Sequence, residues 1–294
     1  MPIFSETPGV NWGMEIARHD ILLHVLTALA YAALALHFWR SRWLSAAPAA
    51  IAAWERVLIL APLALHTWLL WERLLLSSEL RFGFAIALSA MLWLTVLIYW
   101  VESLFMKLEG MQAPVLALAA LCTPWPVLFP GLAAPPSAQT FEFRVHTALA
   151  MLAYSLFTMA AVHALLMTVL ERRLHGRVGG GSIVGPMAAL PPLMTMESLL
   201  FRLIALGFLL LTLTLASGVI YSETLFGLAI KFNHKTLFAV ISWLIFAALL
   251  VGRHLYGWRG RLALRWTLSG FAALLLAYVG SRFILEVILQ RALT

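Results

Sequence analysis

The chain has 294 residues, 63% of them hydrophobic and 11% charged, with a formal net charge of +7. A mean hydropathy of +0.93 excludes a water-soluble globule of this length, which would lack the polar surface to cover its core. The basic balance does not indicate nucleic acid, because the Lys and Arg residues stand between apolar runs, where they report topology.

Runs long enough to cross a hydrocarbon core roughly 30 Å thick recur at 21–39, 51–71, 82–101, 111–129, 145–170, 198–221, 236–256 and 266–288. Met1 to Asp20 has no basic start and no small-residue cleavage site, and reads as a short polar tail rather than a signal peptide. Pro114, Pro124 and Pro126 interrupt the run at 111–129. A kinked or partly re-entrant passage is expected there, because proline frees carbonyls that neighbouring helices must satisfy. Gly176 to Met196, with Gly179-Gly180-Gly181 and Pro191-Pro192, reads as a flexible linker on the inner side. The expectation is an all-α, polytopic transmembrane helix bundle of about eight spans, in an N-terminal four-span part, 1–140, and a C-terminal four-span part, 141–294. No internal repeat is visible.

Charge orients the bundle. With the N-terminus outside, the inner side collects Arg40, Arg42, Arg56, Lys107, Arg172, Arg173, Arg177, Arg202, Arg253, Arg259, Arg261 and Arg265, twelve in all. The outer side keeps eight: Arg18, Arg73, Arg81, Arg144, Lys231, Lys235, Arg282 and Arg291. The bias is strongest in the fifth-to-sixth and seventh-to-eighth loops, so both termini are expected on the outer, periplasmic side.

This topology sorts the nine histidines. His24, His66, His146 and His234 fall at or near the outer leaflet, and His19 sits in the outer tail. His37, His175 and His254 lie at inner ends, and His163 is about 25 Å along its helix from His146 at 1.5 Å per residue. Several imidazoles converging on one leaflet could ligate a metal or haem iron; a lone interfacial histidine more often hydrogen-bonds a neighbouring helix or a headgroup. His24 precedes Tyr31 by seven residues and His146 precedes Tyr154 by eight, about two turns apart on one helix face. Each tyrosine could line a cavity with its histidine or make an ordinary interhelical hydrogen bond.

Arg282 and Glu286 stand four apart near the end of the last run. Mutual neutralisation is one reading, and a guanidinium receptor for an anionic group such as a haem propionate is the other. The twelve Trp residues lie mostly near span ends, as an aromatic belt does. The single cysteine, Cys122, excludes a disulfide framework, a Cys-x-x-Cys redox or zinc pair and a Cys-x-x-Cys-His haem attachment site. Gly-x-Ser-x-Gly, a Walker loop, His-Glu-x-x-His and a mid-span carboxylate pair are all missing. The chain is therefore not expected to be an enzyme.

The stretch HTALAMLAYSLFTMAAVHALLMTVLERRLH from His146 to His175 resembles the helix of the cytochrome c assembly superfamily (CcsA, CcmC and HemX-like proteins) that opens with an external histidine. LPPLMTMESLLFRL (190–203), LLTLTLASGVIY (210–221), HKTLFAVISWLIFAALLVGRHLYGWRG (234–260) and RWTLSGFAALLLAYVGSRFILE (265–286) extend the resemblance. It is nearest to the YpjD-type bacterial inner-membrane proteins. It covers residues 140–294 well, and 1–130 more loosely, through the Leu65-His66 region and the FPG at 129–131.

The resemblance implies a multi-pass protein of the bacterial inner (plasma) membrane that handles haem b, held non-covalently, at the outer face in cytochrome c assembly. It would be at most an accessory to haem attachment. The implied partners are membrane lipid, haem and another cytochrome c assembly membrane protein. By position His146 is the implied first external haem ligand. The family's Trp-rich segment, ending in Trp-x-Trp-Asp-Pro-Lys, is replaced here by SETLFGLAIKFNHK, residues 222–235, in which only Lys235 matches. A second external histidine, expected near Leu289, is absent from the sequence, which leaves His234, His66 and His24 as candidates for the other axial ligand. Two alternatives follow: a non-catalytic membrane partner or regulator that has lost the haem site, and a small-solute or ion transporter suggested by the helix count and by His66 and His163.

Overall fold

The computed structural model describes residues 9–45, 51–76, 81–106, 108–133, 140–175, 192–226 and 234–289. Helices α1 (Gly9–Phe38), α2 (Ala53–Trp71), α3 (Phe84–Phe105), α4 (Gln112–Cys122), α5 (Trp125–Leu128), α6 (Phe141–His175), α7 (Leu193–Phe226), α8 (His234–Tyr256) and α9 (Gly260–Leu275) follow in order. α9 continues through a widened π-turn (Leu276–Gly280), a short α10 (Ser281–Phe283) and a second π-turn (Ile284–Ile288). Seven of the helical stretches are long and apolar enough to cross a membrane, so the protein is a polytopic helical bundle.

α1 begins at Gly9, so much of the expected polar tail up to Asp20 is helical. The run at 111–129 is not one helix: it breaks at Thr123-Pro124 into α4 and α5, where proline cannot donate to the ladder. The expected linker 176–196 lies mostly outside the described residues, and its last four positions already belong to α7.

α3 and α6 are the most enclosed helices, and α6 packs on α3, α7 and α9. α1 lies on α4 and α2, and α8 on α9 and α7. Inside, Phe157 of α6 stacks on Phe246 of α8 at 3.9 Å between ring centres, against the bare backbone of Gly207 on α7. Four indoles tie segments together. Trp43 donates to Gly110 O, Trp100 to Arg56 O, Trp93 to Thr67 and Trp243 to Thr212.

Each end of the bundle has its own fastening. At one end Arg42 and Glu55 pair within the packing, and His37 Nε2 lies 2.8 Å from the same carboxylate. At the other, β1 (Arg81–Phe82) and β2 (Leu132–Ala133) form a two-residue antiparallel pair. Gly131, the last residue of the FPG motif, allows this pair by adopting φ +79° with its backbone against Gly83.

Candidate functional site

The β-pair end gathers the polar side chains of interest. Polar groups inside an apolar bundle are costly unless hydrogen-bonded, so each partnership carries information. His24 on α1 and His66 on α2 are both sealed, at 2% and 1% exposure. Tyr31, two turns along α1 from His24, sets its ring edge-on to His66 at 5.8 Å. His66 Nε2 is 2.8 Å from Ser89 Oγ on α3. His66 Nδ1 and the Tyr31 hydroxyl are buried without a hydrogen-bond partner.

The ring of His24 is fixed from outside. Its Nδ1 donates to Asp20 O at 2.8 Å, one helical turn back, and lies 3.1 Å from Asp20 Oδ1. Arg73, in the π-turn (Glu72–Leu76) that ends α2, reaches Asp20 Oδ2 at 2.5 Å and donates to Pro126 O at 2.8 Å. The short α5 thus turns a carbonyl of the proline-rich segment toward the histidine's support.

His146 occupies a different helix pair. Its Nδ1 is 2.9 Å from Ser217 Oγ on α7, and its Cε1 faces Gly218, where a Cβ would stand 3.3 Å away. The Ser217 hydroxyl donates to Thr214 O at 3.0 Å. Its oxygen therefore accepts the His146 Nδ1–H, and Nε2 keeps the lone pair. Tyr154, on the same helix, turns to α9 and donates to Leu274 O at 2.8 Å. Of the two roles open to Tyr154, the interhelical hydrogen bond is the one it makes.

A third group surrounds Arg282. Its Nη1 is 3.8 Å from Glu286 Oε1, too long for a hydrogen bond, and its Nε and Nη1 are buried without a hydrogen-bond partner. Glu286 Oε2 accepts from Phe84 N at 3.4 Å. The Arg282 guanidinium and the Lys235 ammonium lie 5.7 and 6.0 Å from the centre of the Tyr278 ring. Arg282 and Glu286 thus form an ion pair one turn apart, with Lys235 at the same tyrosine ring.

The remaining candidates scatter. His234 opens α8 and is exposed. His37 belongs to the Glu55 fastening at the far end. His163 is fully buried, its Nδ1 donates to Met159 O at 2.9 Å, and its Nε2 has no partner. The structure thus sets Tyr31 with His66, His24 with Asp20, His146 with Ser217, and Arg282 and Lys235 at the Tyr278 ring. Asp20, Arg73, Ser89 and Ser217 went unread in the sequence. Only the four-residue spacing of Asp20 and His24 signalled a pairing; Ser89 and Ser217 carry no local signature.

A family model described as Cytochrome C assembly protein matches residues 54–289. The chain is 31% identical over 144 residues to the inner membrane protein YpjD of Escherichia coli, covering 49% of this chain and 52% of that protein. It therefore spans about half the length of that curated relative. It is 31% identical over 215 residues to a 28.8 kDa protein in the nifR3-like 5' region of Azospirillum brasilense, covering 69% of this chain and 76% of that one. Over 89 residues it is 38% identical to the cytochrome c biogenesis protein CcsA of Prochlorococcus marinus, covering 30% of this chain and 28% of that protein. No solved structure matches the chain significantly. The seven apolar helices and the inner-membrane relative make it a multi-pass protein of the bacterial inner membrane. With most of its length matched by the family model, the chain belongs to the cytochrome c assembly protein family.

Proposed function

We propose that the protein binds haem b non-covalently within the membrane and handles it in support of cytochrome c assembly. The observation that carries this reading is the presence of two sealed imidazoles, His24 on α1 and His66 on the neighbouring α2. The donor set fits haem iron, which accepts imidazole axially. His24 has Nδ1 tied to Asp20 and so offers Nε2. With Nε2–H donated to Ser89, His66 offers its partnerless Nδ1. Buried polar atoms without partners cost about 1–3 kcal/mol each, which a ligand in contact with them would offset.

His146, with its free Nε2, is a second ligand position, matching the external histidine that the resemblance implies. Arg282 and Lys235 are suited to a propionate, since a guanidinium and an ammonium recognise carboxylates. When bound, haem supplies the iron and the porphyrin carboxylates; the chain's own residues hold and orient them and perform no bond-making step. α4–α5 is read as an eighth crossing. Gly110, ahead of α4, takes the Trp43 indole at one end, and β2, after α5, pairs with β1 at the other. The twelve-to-eight charge bias then favours both termini outside, and a further cytochrome c assembly membrane protein is the expected partner.

The test is the absorption spectrum of the detergent-purified protein, oxidised and then dithionite-reduced, beside His24→Ala, His66→Ala and His146→Ala variants. A Soret band and reduced α-band that weaken in the first two establish the transmembrane site, and weakening in the third adds the outer position. A clean protein spectrum even after added haem overturns the reading. It would favour a non-catalytic partner that kept the scaffold, for which the tryptophan-free 222–235 segment already speaks.

A further inference from the structure

Asp20 and Arg73 form an ordered support behind His24. Both are polar groups at the edge of an apolar bundle, and Arg73 is tied to the Asp20 carboxylate and to the Pro126 carbonyl. The support bears on the Nδ1 side of His24 only, through two acceptors. The backbone carbonyl of Asp20, at 2.8 Å, fixes the ring; the carboxylate Oδ1, at 3.1 Å, adds negative charge beside the Nδ1–H. Arg73, 18% exposed, holds that carboxylate from its other oxygen and offsets part of its charge.

We propose that Asp20 and Arg73 are positioning residues that set the donor strength of His24. Asp20 makes the imidazole a stronger electron donor at Nε2, and Arg73 limits how strong. Carboxylate groups behind a ligating histidine fix its tautomer and raise its basicity, and a charged partner on the carboxylate reduces that effect. The arrangement needs three segments to meet: the first turns of the apolar part of α1, the π-turn ending α2, and the short α5. This proposal rests on the haem reading given above for His24 and His66.

The test is a redox titration of haem-loaded protein, with haem content measured in parallel. In Asp20→Asn the backbone carbonyl still orients His24, so haem content stays near that of the unmodified protein and the midpoint potential rises. In Arg73→Gln the carboxylate bears on Nδ1 unopposed, and the potential moves the other way. To separate the hydrogen bond from a field acting at a distance, Asp20→Asn is repeated in a His24→Met background, which keeps an axial ligand but has no Nδ1–H. There the shift disappears. Haem-loaded variants with unchanged potentials, or a shift that survives in the His24→Met background, overturn the positioning role and leave the haem site standing. An unmodified protein that takes up no haem overturns both.

Discussion

Gly83 and Gly131 meet backbone to backbone at the β-pair end: a Cβ on Gly83 would stand 2.8 Å from Gly131 Cα, and one on Gly131 2.8 Å from Gly83 N. Neither obstacle is a movable side chain. Gly131 also holds φ +79°, a left-handed conformation that costs an alanine about 1–2 kcal/mol. Gly131→Ala is therefore expected to lower stability by about 2 kcal/mol or more, from strain and clash together. Thermal unfolding in detergent measures it. A loss under about 0.5 kcal/mol would mean that the two backbones can part without consequence.

Arg42 and Glu55 are almost wholly enclosed, at 4% exposure each, and Ala52 N donates to the same carboxylate at 2.8 Å. Breaking a buried pair by removing one partner strands a charge and typically costs about 3–5 kcal/mol, whereas replacing both with apolar groups is often near neutral. Arg42→Met is expected to destabilise by about 3 kcal/mol, and the Arg42→Met, Glu55→Leu double variant to recover most of it. A double variant as unstable as the sum of the singles would show that the two residues act separately.

Tyr154 donates to the carbonyl of Leu274, two residues before the π-turn Leu276–Gly280. Widened turns loosen the regular ladder and leave carbonyls open to outside donors, which gives Tyr154 a fastening role between α6 and α9. Tyr154→Phe should cost about 1 kcal/mol and leave any haem spectrum unchanged. A spectrum altered in this variant would return Tyr154 to the ligand cavity.

How much of this was legible in the sequence depends on whether the signal is local. Apolar length locates helices, and proline marks the break at Thr123-Pro124, because both act within a few residues. The partners of Arg42 and Asp20 were not legible for the same reason. A buried arginine and a topological one look alike until Glu55 arrives from the next helix, and Asp20 counts as tail until Arg73 reaches it from the end of α2. His24 and His66 were both candidates on polarity and depth, but their burial depends on how α1 and α2 pack. Ser89 and Ser217, each 2.8–2.9 Å from a histidine nitrogen, are ordinary helix serines in sequence. Their role exists only once α3 and α7 are set against the helices that carry the histidines.

His146 supplies the last prediction, because its ring is held by α7 alone: Ser217 takes Nδ1, and Gly218 leaves the space in which the ring lies. Outer-shell partners of a metal-bound histidine commonly change affinity about 10–100-fold when removed. Under the haem reading, Ser217→Ala is expected to lower haem affinity at the outer position about tenfold, at a cost of about 1 kcal/mol to the fold. Gly218→Leu, whose side chain occupies the ring's place, should abolish binding there. Gly218→Ala, with a contact of 3.3 Å that the ring can relieve by moving slightly, should behave nearly as the unmodified protein does. Haem titration of the three variants in detergent tests the series. A flat response across all three would remove His146 from the site and leave the His24–His66 pair as its whole ligand set.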